Sequence, residues 1–418
     1  MDVAKIDGGD GEGTGQEKYG IRQRGQEYYR KSFRNYRPVP EKLNDMKFAD
    51  IHGLEEIKER LVTTVESNHM AHAIMLAGKP GAPNLPLALA LSTFVLCENR
   101  GKDACGTCDG CLKAEKFIHP DLNFVFPVAP VKGISGKDVI SRSFMKEWRK
   151  FLLEDTFGSV DHWAVRFGGE DKELNISKEE SRNIINTLSL KAFEGSHKVM
   201  LIWLPEYMHP AASNGILKIL EEPAERTLFL LVTNDMESLM TTILSRTQIV
   251  QVRRFNETEM TGIIIEKYGV EKERAQVLAK ITEGDISVAM DYIDHDEKDT
   301  PELFKKWMRS CFSRNLAGLV EHSEEFHRAN KVEQKGLLKY MLYILRESMV
   351  FGLDSGDLGR SDDSDREFIG KFSKFLNEGK IGKITAMVDE AFYHLERNAS
   401  ARIMMLDLSL KISTLLRQ

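Results

Sequence analysis

The sequence predicts an α/β domain built on a parallel sheet, then a small helical lid, then an all-α C-terminal domain. Apolar runs of strand length alternate with helical stretches from residue 71 to about 253, which is typical of a mainly parallel sheet covered on both faces. Beyond residue 255 the strand pattern stops and helical periodicity continues. We therefore expect the α/β domain over 46–253, the lid over 254–297 and the C-terminal helical domain over 298–418.

Each predicted element follows from a local pattern. Met46 opens the folded region, where a short turn leads into a helix with Leu54, Ile57, Leu61 and Val65 on one face. Five apolar runs predict the strands, at 73–76, 123–127, 198–204, 228–233 and 247–252. Three short helices are expected in the lid, at 257–268, 272–282 and 286–294.

Two stretches do not follow this pattern. Residues 1–45 are rich in Gly, Asp, Glu, Lys and Arg with almost no aliphatic periodicity, so we expect a disordered extension. Residues 131–171 carry Trp148 and Trp163 and interrupt the alternation of strands and helices. This second stretch is expected to be an insertion.

Composition narrows the class of protein. The chain has 418 residues, 42% of them hydrophobic and 29% charged, with a net charge of -6. This length supports two to three domains with real cores, and the charge argues against nucleic-acid binding over the whole surface. The longest apolar run, around 85–97, is too short and too interrupted to span a bilayer. We expect a cytoplasmic protein that does not bind membranes.

Four of the five cysteines lie within fifteen residues, at Cys97, Cys105, Cys108 and Cys111. Two consecutive Cys-x-x-Cys steps in a polar, Gly-containing stretch favour a tetrahedral zinc site, with Cys97 as the fourth ligand. The alternative is a set of buried free thiols, because cysteine is among the most buried residue types. A zinc ion whose four coordination positions are all filled by cysteine sulfurs would have a structural rather than a catalytic role.

A phosphate-loop pattern begins at Gly78 but lacks the residues that bind phosphate. Such a loop needs a Lys for the terminal phosphates and a Ser or Thr hydroxyl for magnesium. Here Asn84 and Leu85 stand at those two positions, and Pro83 replaces the last glycine.

Several motifs occur together in the order of a known family. They are Phe48-Ala-Asp-Ile-His-Gly53, the phosphate-loop remnant, the cysteine cluster, His119-Pro120-Asp121, the stretch Ser213 to Pro223, and Ser245-Arg246. This combination resembles the bacterial clamp loaders, AAA+ proteins of the replicative DNA polymerase III. The degraded nucleotide site resembles the delta-prime branch of that family. The resemblance covers roughly 46–295 without the insertion, and the remaining helices correspond only by position to the family's oligomerising collar.

The resemblance places further losses at the nucleotide site. The two acidic positions that end the Walker B strand carry Trp203 and Leu204, and neither can bind a cation. Ser287 stands where the family has its ATP-sensing arginine in the lid. We therefore expect no ATP bound by this chain's own site, and neither ATPase nor polymerase activity from the chain itself.

The resemblance also assigns roles to two arginines. It implies that Arg246, in the Ser245-Arg246 motif, is an arginine finger presented to ATP on a neighbouring subunit. Thr247 replaces the family's Cys at the third position of that motif. The alternative role for Arg246 is to cap the C-terminus of the preceding helix, expected over 237–244. Arg182 lies on a helix that in clamp loaders passes near the primer-template backbone, so it is a candidate DNA contact.

Three functional classes remain open from the sequence. The first is a non-catalytic clamp-loader subunit with zinc, acting with gamma/tau and delta subunits, the sliding clamp and primer-template DNA. The second is an active ATPase subunit of the gamma/tau type. The third is a stand-alone zinc protein that binds nucleic acid. The missing phosphate and magnesium ligands favour the first.

Overall fold

The computed structural model describes residues 47–66, 70–170, 172–294, 300–329, 331–352, 363–397 and 399–417. The expected extension over 1–45 lies outside these residues. The chain divides into two compact units, one over 39–290 and one that contains 291–418.

The first unit is built on a five-stranded parallel sheet. The strands are β1 (Ala73–Ala77), β2 (Leu122–Val125), β3 (Lys198–Trp203), β4 (Thr227–Thr233) and β5 (Gln248–Gln251). Their order in the sheet is β2-β3-β4-β1-β5, and every neighbouring pair is parallel. Every residue of β1, β3 and β4 is buried, because a parallel sheet carries helices on both faces. The predicted α/β fold with a parallel sheet is confirmed.

Among the described residues of this α/β region, eight α-helices precede or connect the strands. They are α1 (Glu55–Glu66), α2 (Asn84–Leu96), α3 (Asp109–Glu115), α4 (Met145–Glu154), α5 (Val160–Phe167), α6 (Lys178–Leu188), α7 (Pro210–Glu221) and α8 (Thr241–Leu244). All thirteen residues of α2 are buried, which fits a segment without a single charged side chain. The helix expected over 237–244 was predicted too long. Asp235 accepts hydrogen bonds from the backbone N–H groups of Glu237 and Ser238, and this turn delays the start of α8.

Within the expected insertion, residues 131–170 carry a helical layer that packs against the sheet. Trp148 in α4 and Trp163 in α5 are completely buried. The Trp148 ring stacks on Phe126, just beyond β2, with ring centroids 4.2 Å apart. The Trp163 indole N–H donates to the Pro127 carbonyl oxygen at 2.8 Å. The segment is therefore part of the core of its unit.

The lid consists of α9 (Glu257–Tyr268), α10 (Lys272–Thr282) and α11 (Ile286–Asp294), with the bounds that the sequence predicted. Asn256 caps α9, and its side chain and that of Glu259 exchange hydrogen bonds with each other's backbone N–H groups. Gly269 ends α9 in the left-handed conformation, with φ at 65°.

The described part of the second unit is helical. Its helices are α12 (Thr300–Ser313), α13 (Leu316–Arg328), α14 (Lys331–Gly352), α15 (Asp363–Phe372), α16 (Glu378–Glu396) and α17 (Ala401–Leu415). Phe304, Trp307 and Cys311 are buried along one face of α12. The Trp307 indole donates to the hydroxyl of Ser409 in α17 at 2.9 Å.

Among the residues that the structure describes, no helix combines the length and the apolar character that a membrane crossing requires.

Candidate functional site

The four clustered cysteines come together as one group. Cys97 ends α2, Cys108 caps the N-terminus of α3, and Cys111 lies in the first turn of α3. All four sulfurs lie within 4.8 Å of one another, and the pairs Cys105–Cys111 and Cys97–Cys108 are each 3.9 Å apart. Four sulfurs placed tetrahedrally around zinc at 2.3 Å would be about 3.8 Å apart. The geometry therefore fits a tetrahedral metal site.

The backbone around these cysteines favours thiolates. The N–H groups of Cys105, Cys108 and Cys111 donate to the sulfurs of Cys97, Cys105 and Cys108, respectively, at 3.3 to 3.4 Å. Hydrogen bonds led by the Thr107 N–H lower the pKa of Cys105 to about 6, whereas burial raises the pKa of Cys97 and Cys111. A bound dication would supply the positive charge that thiolates at the buried Cys97 and Cys111 need.

The phosphate loop is filled by its own asparagine. Asn84, the first residue of α2, is 2% exposed, and its side-chain amide donates to three oxygens. These are the carbonyl oxygens of Gly78 and Thr233, at 3.2 and 3.1 Å, and Oδ1 of Asn234, at 3.1 Å. Leu85 beside it is buried as well. A phosphate-binding lysine would point its charge into the cleft, but Asn84 turns back onto the loop and the end of β4.

The Walker B positions belong to the apolar core. Trp203 packs against Trp148 and Phe151, with centroid distances of 5.0 and 5.9 Å. Leu204 is buried with φ at 57°, a left-handed conformation that costs a non-glycine residue about 1 kcal/mol or more. Neither side chain offers an oxygen to magnesium.

Sequence reasoning missed Glu206, which lies two residues after Leu204. Its carboxylate accepts hydrogen bonds from the Thr233 hydroxyl at 2.8 Å and from the Asn234 N–H at 2.9 Å. Burial raises the pKa of Glu206. An acidic residue three positions beyond the end of a buried strand was the available signal. Its partners lie at the end of β4, so Glu206 holds that end of the strand in place.

The lid position that the family gives to an arginine is also buried. Ser287 donates its hydroxyl hydrogen bond to Oδ1 of Asp285 at 2.8 Å. Oδ2 of Asp285 pairs with Arg254 at 3.0 Å, and Nε of Arg254 donates to the Pro80 carbonyl oxygen at 2.9 Å. Sequence reasoning had no pattern that linked Arg254 to the phosphate loop.

Arg246 follows α8 and its side chain is 28% exposed. Its guanidinium forms an ion pair with Glu221 at the end of α7. It also donates to the Thr242 carbonyl oxygen at 2.7 Å and to the Ser245 hydroxyl at 3.2 Å. Arg246 therefore makes the helix-capping contact within its own chain. Arg182 is more exposed and pairs with Glu179 on the same helix at 2.8 Å.

The His119-Pro120-Asp121 turn is held by hydrogen bonds. The buried His119 ring accepts from the Asp121 N–H through Nδ1 at 3.1 Å, and burial lowers the pKa of the ring. Asp121 accepts from the backbone N–H groups of Phe193, Glu194 and Gly195 at 2.7 to 2.8 Å. Burial acts to raise the pKa of Asp121, but these three donors outweigh it and the pKa is lowered.

These features define a class of protein. A parallel sheet in this strand order, a phosphate loop between β1 and α2, and a helical lid after β5 form an AAA+ module whose phosphate and magnesium positions carry other residues.

Residues 53–256, just under half of the chain, match the family model described as DNA polymerase III, delta subunit. Over these residues the chain is similar to subunits of DNA polymerase III.

The curated relatives include the delta-prime subunits of Bacillus subtilis and Escherichia coli. The first is 24% identical over 241 residues, which cover 58% of this chain and 59% of the relative. The second is 29% identical over 192 residues, covering 46% and 45%. The match thus spans about half the length of these relatives. The tau subunit of Escherichia coli is 25% identical, over 78% of this chain and 47% of its own length.

Among solved structures, a gamma subunit-related protein from Thermotoga maritima is 16% identical. It covers 85% of this chain and 99% of its own, with a TM-score of 0.38.

Proposed function

We propose that this chain is a non-catalytic, delta-prime-type subunit of the DNA polymerase III clamp loader. In this role it acts with gamma/tau and delta subunits in the cytoplasm to load the sliding clamp onto primed DNA. The observation that carries the proposal is the replacement of every expected phosphate and magnesium ligand by a residue with a role in packing or internal hydrogen bonding.

The chemistry of ATP supports a subunit that does not hydrolyse it. Phosphoryl transfer depends on positioned cations, and each missing group normally supplies a large part of the stabilisation of the transition state. Asn84 is neutral and Trp203 and Leu204 are apolar, so the cleft has no ligand for magnesium at these positions. A triphosphate is not held by a few backbone N–H groups alone.

The cysteine cluster would hold one structural zinc ion. Cys97, Cys105, Cys108 and Cys111 would fill all four coordination positions, so the metal would have no open position for catalysis. Its role would be to fix the stretch between α2 and α3.

Arg246 would act on a neighbour as an arginine finger, with Ser245 beside it. To reach another subunit the guanidinium must leave Glu221, and an exposed ion pair of this kind is worth at most about 1 kcal/mol. A planar, permanently charged group at the end of a short helix suits the stabilisation of a transferred phosphoryl group. Arg182 would contact the DNA backbone in the same assembly.

The test is ATP hydrolysis by the reconstituted loader in the presence of clamp and primed DNA. We expect Arg246→Ala to leave folding and assembly intact and to lower the rate through the loss of one site. Fingers supplied in trans contribute about 10³ to 10⁵ in rate at their own site, but the other sites would continue. Arg246→Lys keeps the charge without the bidentate fork and should not restore the rate.

Arg60→Ala, at an exposed arginine in α1, is the matched control. If Arg246→Ala changes neither the rate of ATP hydrolysis nor clamp loading, Arg246 is not an arginine finger. Its role would then be to cap α8 through its hydrogen bond to the Thr242 carbonyl oxygen.

A further inference from the structure

Two consecutive arginines join the lid to opposite ends of the nucleotide cleft. Arg253 and Arg254 lie between β5 and α9, where the chain passes from the sheet into the lid. One of them reaches the phosphate loop and the other reaches the first turn of α1.

Arg254 makes the contact at the phosphate-loop end. It bridges the Pro80 carbonyl oxygen and the Asp285 carboxylate, which caps the N-terminus of α11. The Ile286 N–H also donates to the Gly81 carbonyl oxygen at 3.4 Å. Gly81 has φ at 80°, and a Cβ there would lie 2.1 Å from Oδ1 of Asp285. The lid and the loop are therefore in direct contact.

Arg253 makes the contact at the other end. It pairs with Glu259 of α9 at 2.7 Å and with Glu56 of α1 at 3.1 Å. The Glu259 carboxylate also accepts from the Leu54 N–H at 3.4 Å. Gly53 has φ at 62°, and a Cβ there would lie 2.0 Å from Glu259. Only glycine leaves room for this carboxylate.

We propose that these two contacts form a double clasp that keeps the lid closed on the α/β domain without any nucleotide. In an AAA+ site built to bind ATP, the ligand itself joins the phosphate loop to the lid. Here Arg254 with Asp285 and Arg253 with Glu259 make that connection from within the chain.

The geometry gives the clasp more strength than a surface ion pair. The side chains of Asp285 and Glu259 are only 11% and 14% exposed. Each carboxylate also accepts backbone N–H hydrogen bonds, from Val288 to Asp285 and from Leu54 and Asn256 to Glu259. Removing an arginine would leave a mostly buried carboxylate without its cation, and the contact would open.

The experiment is hydrogen exchange on the full chain, comparing wild type, Arg253→Ala/Arg254→Ala and the control Arg182→Ala. Arg182 is an exposed arginine with an acidic partner on its own helix, so its loss removes an ion pair outside the lid. We expect amides in α9 and α11 to exchange roughly tenfold faster in the double variant, with strands β1 and β4 unchanged. Magnesium-ATP should leave the exchange of the wild-type lid unchanged.

Two results would overturn the clasp: lid exchange in the double variant equal to that of wild type, or a wild-type lid that gains protection with magnesium-ATP. If the double variant does not fold, Arg254→Lys gives the same comparison at the phosphate-loop end alone, with acceleration expected in α11. The result is independent of the Arg246 assay, because no neighbouring subunit is present.

Discussion

Cys108 has two roles, because it caps the N-terminus of α3 and its sulfur is one of the four in the cysteine cluster. Its sulfur accepts the Cys111 N–H and lies 3.9 Å from the sulfur of Cys97. A serine at this position would keep an N-cap acceptor but would be a far poorer zinc ligand.

We predict that Cys108→Ser loses the single zinc ion expected per chain while the sheet stays folded. Metal binding is coupled to local folding, so the stretch 97–111 should lose its order alone. Metal analysis of protein purified without chelator, together with circular dichroism, checks this. Cys311→Ser, at a buried thiol in α12, is the control and should retain the metal. If wild-type protein purified in this way contains no zinc, the prediction is wrong and the four cysteines are free thiols.

At the scale of elements, the turn at Asp121 connects the start of β2 to the segment before β3. We predict that Asp121→Asn destabilises the protein by about 1–3 kcal/mol, because the three N–H donors of 193–195 lose a charged acceptor. Asp138→Asn, at an exposed carboxylate, is the matched control and should change stability little. Denaturant unfolding at neutral pH measures the difference.

The same carboxylate should make this stabilisation depend on pH. The folded-state pKa of Asp121 is lowered, so its contribution is fully present above the unfolded value of about 3.9 and is lost as the pH falls through the folded pKa. The stability gap between wild type and Asp121→Asn should therefore shrink in acid. A gap that stays constant down to pH 2 would mean that charge plays no part.

The elements that could be predicted from sequence are those set by local patterns. The apolar runs predict β1 to β5 to within about two residues, and the caps at Asn256 and Gly269 agree with the bounds of the lid helix α9. The helix predicted over 237–244 begins only at Thr241. The Asp235 side chain accepts the backbone N–H groups of Glu237 and Ser238, and this turn takes the place of the first helical residues.

The contacts that could not be predicted join residues far apart in the chain. Glu206 meets Thr233, Arg254 meets Asp285, and Trp148 meets Trp203 through the fold alone. The motifs identify Asn84, Trp203 and Ser287 from the sequence. Their contacts with Thr233, Trp148 and Asp285, respectively, are seen only in the structure. For Arg246 the sequence left two roles open, an arginine finger that acts on a neighbouring subunit and a cap at the C-terminus of its own helix. The structure gives the capping contact, and the finger stays a prediction.

At the scale of the whole molecule, we predict that magnesium-ATP does not raise the melting temperature of the isolated chain. A ligand that binds only the folded state at one hundred times its Kd would stabilise it by about 2.7 kcal/mol, a shift of several degrees at most. Differential scanning calorimetry with 1 mM nucleotide, against the same magnesium salt alone, is the measurement. A clear upward shift, backed by low-micromolar equilibrium binding, would favour the active ATPase class instead.

The contact between Trp203 and Trp148 makes position 203 part of the aromatic core rather than of the cleft. An aspartate at 203 would be an unpaired charge in a cluster of aromatic rings, and it would leave a cavity where the indole was. An acidic ligand at 203 would therefore require changes in α4 at the same time, because Trp148 and Phe151 of that helix pack against the Trp203 ring. The helical layer of 131–170 thus determines which side chains position 203 can accept.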